Sequence, residues 1–149
     1  MNRLLIIIAF LASAASLAAG ASATSHSAAA VATVSTGSSS LGRILIDGKG
    51  RTLYLFEKDR QGRSACSGTC ATYWPPLLAH GKPTAGRGAK ASLIGTIRRA
   101  DGTKQVTYAG HPLYRYLPDT MPGQTLGQDS HLFGASWYVL SPVGKKIGR

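Results

Sequence analysis

The residues best suited to chemistry in this 149-residue chain are a cysteine pair, a few histidines and two aspartates in matching contexts. Cys66 and Cys70 form a Cys-x-x-x-Cys arrangement. Two thiolates and a distant histidine make a soft donor set that suits copper(I), with His80, His111 or His131 as the third ligand. Thiol–disulfide exchange is a second use. Redox pairs sit at a helix N-terminus that lowers the thiol pKa, whereas Ser67-Gly68-Thr69 reads as a loop. The third use is a structural disulfide, the default for neighbouring cysteines in an oxidising compartment. Covalent haem attachment needs Cys-x-x-Cys-His, and here Ala71 follows Cys70.

The aspartates close two matched segments. Leu53-Tyr54-Leu55-Phe56-Glu57-Lys58-Asp59 is echoed by Leu113-Tyr114-Arg115-Tyr116-Leu117-Pro118-Asp119, both reading Leu-Tyr-x-aromatic-x-x-Asp. A Gly-containing turn precedes each copy (Gly50; Gly110), and a turn-rich loop leads from each to a tryptophan, Trp74 or Trp137. Two carboxylates would act as a hydrolytic pair only from one cleft. Just past a strand, each is better placed to accept backbone N–H groups and fix a turn. His111 precedes Pro112, which pushes it toward extended geometry at a strand start, as a solvated turn residue or a ligand. No Gly-x-Ser-x-Gly elbow or glycine-rich phosphate loop is present. With six acidic residues in all, general bases and hard-metal cages are in short supply. No catalytic or cofactor-binding residue is assigned, and copper is the one cofactor an alternative reading would bring.

The elements that position these residues read as strands and turns. Residues 41–46 form a strand, Asp47-Gly48-Lys49-Gly50 a turn, and 51–56 a second strand rich in β-favouring types. Pro75-Pro76 after Trp74 imposes an extended or edge segment. A hairpin over 93–108 turns at Asp101-Gly102, Ala109-Gly110 leads into 111–117, and 136–140 is a final strand. In a strand, residues two apart share a face, so Tyr54 lies with Phe56 and Tyr114 with Tyr116. No amphipathic helix is evident. The fold class is all-β: a small single domain of two related antiparallel β-meander repeats, packed through Tyr54, Phe56, Trp74, Tyr114, Tyr116 and Trp137. Self-similarity of this kind marks a duplicated unit that cannot bury its apolar face alone.

The two Tyr-x-aromatic-x-x-Asp copies, with Cys66-Ser67-Gly68-Thr69-Cys70-Ala71 and Trp74-Pro75-Pro76 between them, resemble the bacterial family called secreted repeat of unknown function. Its members are often described as predicted lipoproteins carrying a Yx(F/W/Y)xxD motif. The similarity covers about residues 41–143. It implies export and a repeated β unit, with no characterised activity.

Outside the domain, Arg3, an apolar run over 4–11 and Ala21-Ser22-Ala23 read as a signal peptide over 1–23, cleaved to leave Thr24. The apolar run is too short to span a bilayer, so no transmembrane span is expected after cleavage. No cysteine lies at the cleavage site, which departs from the lipoprotein members and argues against a lipid anchor. Residues 24–40, nearly all Ala, Ser, Thr, Val and Gly, read as a disordered spacer holding a solvated His26. The domain then runs over 41–143, followed by a frayed basic tail over 144–149. Formal charge is +11. In a periplasmic or secreted protein that charge points to anionic envelope components rather than nucleic acid. The expectation is an exported, non-enzymatic binding or structural module with a cationic surface. The alternative is a periplasmic copper- or redox-handling protein using Cys66, Cys70 and a histidine. Oligomeric state is left open.

Overall fold

A computed structural model describes residues 29–60 and 62–148. The expected signal peptide and His26 lie outside the described residues. Among the described residues the strands are β1 (Thr33–Ser39), β2 (Gly42–Asp47), β3 (Tyr54–Phe56), β4 (Thr84–Ala85), β5 (Ile94–Arg98), β6 (Lys104–Tyr108), β7 (His111–Pro112) and β8 (Trp137–Val139), with a short α-helix, α1 (Thr69–Tyr73), and a 3-10 turn at Ala91–Leu93. They form three small sheets, ordered β2-β1-β4, β3-β8 and β5-β6-β7. The chain is therefore all-β.

Two boundaries are corrected. The expected spacer over 24–40 contains β1, which pairs antiparallel with β2 from Val34↔Asp47 to Ser39↔Gly42. Its residues look like linker because they are small, yet Val34 and Thr36 alternate inward with β-branched shapes that suit a pleated surface. Within the tail expected to fray over 144–149, the described residues Lys145 and Ile147 are paired. Ser141 N–H donates to the Lys145 carbonyl and Ile147 N–H to the Val139 carbonyl, both at 2.8 Å, while Ile147 packs on the aromatic core. A single apolar residue in a basic segment was the signal for that docking. The segment around Cys70 is also more regular than expected, since α1 carries Cys70 as its second residue.

Each meander is short. The β6–β7 connection is Ala109-Gly110, both at positive φ (50° and 81°), which is the two-residue turn whose twist matches paired strands. The β5–β6 loop is one residue longer than Asp101-Gly102 alone. Arg99 N–H donates to the Thr103 carbonyl at 2.8 Å, leaving Ala100, Asp101 and Gly102 in the loop, with Gly102 taking φ 84°.

The two repeats do not simply pack side by side; they exchange their last strands. The segment beginning at Trp137 pairs with β3 of the first repeat, Tyr54↔Val139 and Phe56↔Trp137. The segment beginning at Trp74 instead joins the second repeat, with Leu77 N–H on the Leu113 carbonyl at 2.9 Å and Val106 N–H on the Leu77 carbonyl at 2.8 Å. The counterpart of that last bond is Leu45 N–H to the Leu140 carbonyl at 2.9 Å. Each repeat thus completes its partner's sheet.

Alternation along these strands sorts side chains into two cores. Leu53, Leu55, Leu113, Tyr138 and Leu140 enter an aliphatic cluster with Val34, Leu45, Val106 and Tyr108. Their neighbours Tyr54, Phe56, Tyr114, Trp137 and Val139 enter an aromatic cluster with Ile44, Trp74 and both cysteines. With a core on each face, β3 and β8 are buried throughout, so they read as continuous apolar runs rather than alternating ones.

Candidate functional site

At the centre of the aromatic core, Tyr54 and Tyr114 face each other across the two repeats. Tyr54 N–H donates to the Tyr114 carbonyl at 2.8 Å, and Tyr114 N–H returns the bond at 3.0 Å. Their hydroxyls then cross. Tyr54 Oη–H donates to Asp119 Oδ2 at 2.5 Å and Tyr114 Oη–H to Asp59 Oδ2 at 2.9 Å. The second oxygen of each carboxylate accepts a downstream backbone N–H, Ala65 for Asp59 at 2.7 Å and Leu126 for Asp119 at 3.0 Å. The tyrosine of each motif is therefore tied to the aspartate of the other copy. Spacing alone revealed the repeated motif but not this crossing, which only tertiary pairing creates.

The remaining motif residues obey the same pseudo-twofold symmetry. Phe56, Trp137, Trp74 and Tyr116 form one column, with ring centroids 4.0, 3.9 and 4.2 Å apart in that order. Tyr54 meets Trp74 edge-on at 5.3 Å, and Tyr114 meets Trp137 likewise at 5.1 Å. Such pairs contribute beyond simple area burial. Symmetry fails at the indole nitrogens: Trp137 Nε1–H donates to the Leu132 carbonyl at 2.9 Å, while Trp74 Nε1–H has no partner among the described residues.

Burial sets the electrostatics. Desolvation lifts Asp59 from 3.8 to about 6, against the opposing pull of the Ala65 and Tyr114 bonds and of Arg99. Desolvation also raises Asp119 and pushes both tyrosines well above the ordinary phenol range. Behind Asp59 lies a network that sequence reading missed. Arg99, its side chain 5% exposed, donates from Nη1 to Ser64 Oγ (2.9 Å) and Gln105 Oε1 (2.7 Å), and from Nη2 to the Cys66 carbonyl (2.7 Å). Ser64 Oγ in turn lies 2.7 Å from Tyr114 Oη. No local pattern marks Arg99 as buried, because its partners include a distant segment, Ser64 to Cys66, as well as Gln105 on β6.

The other candidate residues are scattered. Cys66 and Cys70 form a disulfide. In this oxidised form the sulfurs offer no thiolate, and among the described residues no group of three His, Cys, Asp or Glu side chains could hold a metal. The copper set of Cys66, Cys70 and His111 is therefore not assembled. His80 is exposed, His131 approaches Ser136 Oγ at 3.1 Å, and half-buried His111 is held below its ordinary pKa by desolvation. His111 does share a cleft of ≈ 630 Å³ with Asp59, Phe56, Arg60 and Lys146. Asp119 does not line that cleft, so the two carboxylates do not converge there. Both Asp59 oxygens are already engaged, and Lys146 is paired with Glu57 at 2.5 Å.

A duplicated β domain locked by crossed Tyr–Asp pairs is the class of protein that fold and site define. The chain belongs to the family described as secreted repeat of unknown function, whose sequence model matches twice, over residues 35–78 and 95–141. The first match opens inside β1, and each holds one full motif through its tryptophan. No curated protein and no solved structure matches the chain. Among the described residues no helix is long and apolar enough to cross a membrane.

Proposed function

We propose that this chain is an exported, non-enzymatic module in which the twin motif is a clasp between repeats and the cationic surface associates with anionic envelope components. The observation that carries this reading is that the hydroxyls of Tyr54 and Tyr114 and the carboxylates of Asp59 and Asp119 are bonded to one another or to backbone inside the fold. Those four groups hold structure and are not free to act as nucleophile or base. Charge remains for the surface. Salt bridges among the described residues engage only Arg51, Arg99, Arg115 and Lys146, whereas Arg43, Lys49, Arg63, Lys82, Arg87, Lys90, Arg98, Lys104 and Lys145 are exposed and unpaired with any acid. Unneutralised cations of that density attract anionic surfaces through a field that salt screens.

The test is cosedimentation of the protein with phosphatidylglycerol vesicles and with purified cell wall at rising salt. Binding at low salt that falls by about tenfold or more as the screening length drops from ~30 Å to ~8 Å supports the proposal. Binding that salt does not weaken overturns it.

A further inference from the structure

Two strand edges in this fold face a common groove. β5 is the outer strand of its sheet. The bonds Ala109 N–H to the Leu93 carbonyl and Arg99 N–H to the Thr103 carbonyl, both 2.8 Å, fix the phase of its pairing with β6. In that phase the odd-numbered residues bond β6, and Thr96 and Arg98 turn N–H and C=O to the open side. β4 is the outer strand of the other sheet. Thr84 N–H and Gly86 N–H donate to Ala32 and Val34 carbonyls at 2.9 and 2.7 Å, so Ala85 between them directs its own N–H and C=O away from β1. Ala85 and Thr96 line the same groove of ≈ 460 Å³, together with Ile94 and Thr84.

The groove continues into a second section of ≈ 430 Å³ where Lys82 and Lys104 are the charged residues. Among the described residues no acidic or aromatic side chain lines either section. Aromatic platforms for sugar rings are absent, and a concave channel between strands is a poor match for a flat bilayer. A second copy of this chain would bring further positive charge to the same rim. What fits is an extended strand that supplies backbone donors and acceptors to both edges and carboxylates to the lysines.

We infer that the groove between β4 and β5 receives an extended acidic peptide segment of a partner protein by strand addition. The inference takes from the proposed function only its reading of the surface charge, and adds a site and a partner class. Main-chain bonds to Ala85 and Thr96 set the register, alternate apolar side chains rest near Ile94, and acidic ones reach Lys82 and Lys104. Unpaired edges are otherwise a route to aggregation, and the flanking Lys82, Pro83 and Arg98 discourage like-charged strands while admitting acidic ones.

The full-length protein is titrated with a short fluorescent peptide alternating glutamate and valine, followed by anisotropy. Two variants and one control peptide separate the terms. Thr96→Pro removes an N–H that β6 does not use, at an edge position where proline is tolerated. The exposed pair Lys82→Glu/Lys104→Glu removes the charge match without touching the core. An N-methylated peptide keeps the charge and loses its backbone donors. Affinity is expected to fall by about tenfold or more in each case, equivalent to about 1.4 kcal/mol. Equal binding of the N-methylated peptide, or no response to Thr96→Pro, overturns strand addition and leaves the cationic-surface reading intact. No binding of either peptide while phosphatidylglycerol vesicles still bind does the same. Loss of both peptide and vesicle binding overturns both. Self-association of the protein that Thr96→Pro abolishes assigns the groove to a second copy and overturns the acidic-peptide inference.

Discussion

A tyrosine–aspartate pair is an unusual clasp, because the acceptor carries a charge that the interior resists. Tyr54 is fully buried and Asp119 is 3% exposed, so Tyr54→Phe leaves Asp119 Oδ2 with one donor fewer in a site water does not reach. The expected loss is about 2 kcal/mol in denaturant titration, toward the upper range for hydrogen bonds to charged groups. Tyr114→Phe should cost less, about 1 kcal/mol, because Asp59 is only half-buried and water can replace the lost donor. Equal or negligible losses would show that the clasp contributes no stability. The same burial gives a pH signature. Asp59 is raised from 3.8 to about 6, so the folded state binds more protons than the unfolded state between those values. Its stabilising contribution is complete below about pH 4 and is lost as pH rises through about 6. Asp119 is shifted in the same direction. The thermal midpoint should therefore rise as pH is lowered from neutral toward 5, and Asp59→Asn should flatten that rise. An unchanged slope in Asp59→Asn would assign the effect to another group.

At the scale of elements, what was legible depended on whether the signal was local. The β2–β3 region, the β5–β6 hairpin and the Ala109-Gly110 turn carry β-branched or aromatic runs punctuated by glycine, and they fold where those signals lie. β1 escaped because Ser35, Gly37, Ser38 and Ser39 resemble a linker, and only the Val34/Thr36 alternation distinguishes it. The exchanged strands escaped for a different reason. Leu77 and Leu140 look like ordinary strand residues, and nothing in the sequence says which repeat they join. Motif residues were identifiable as a set, but their crossed partners and the Arg99 network depend on contacts between distant segments. The disulfide is the local case at its smallest. It joins Cys66, just ahead of α1, to Cys70 inside it, with both residues buried in the aromatic core. A loop this short gives a chain-entropy stabilisation of about 2 kcal/mol, and α1 supplies the backbone contacts that position Trp74. Cys66→Ser/Cys70→Ser should lower stability by that order while the tryptophan near-ultraviolet signal persists. Protein purified without reductant should show no free thiol. Titratable thiols together with copper uptake would instead restore the metal-handling alternative.

For the molecule as a whole, strand exchange makes the two repeats a covalently linked pseudo-dimer rather than two small domains in contact. The first repeat has no partner for β3 or for the Leu45 N–H until residues 137–140 arrive, and the second has none for the Val106 N–H and the Leu113 carbonyl until the Trp74 segment arrives. Each half alone would expose one face of its central tryptophan and leave its Tyr–Asp clasp open. A half-chain also falls in the size range where a single core is marginal. Cutting the chain in the 86–90 loop, between β4 and β5, should yield fragments that lack cooperative unfolding when separate. Mixed at equal concentration, they should assemble one to one and regain the near-ultraviolet dichroism of the stacked Trp74–Trp137 pair. The assembly should weaken on dilution, because joining the halves has become a bimolecular step that the intact chain avoids. Trp137→Ala in the second fragment should reduce complementation strongly, since it breaks the column at its centre and costs about 3–5 kcal/mol as a large-to-small core change. A fragment that folds cooperatively as a monomer would refute the interdependence of the repeats. It would also mean that the motif is a self-sufficient fold, with the crossed pairing an addition rather than a requirement.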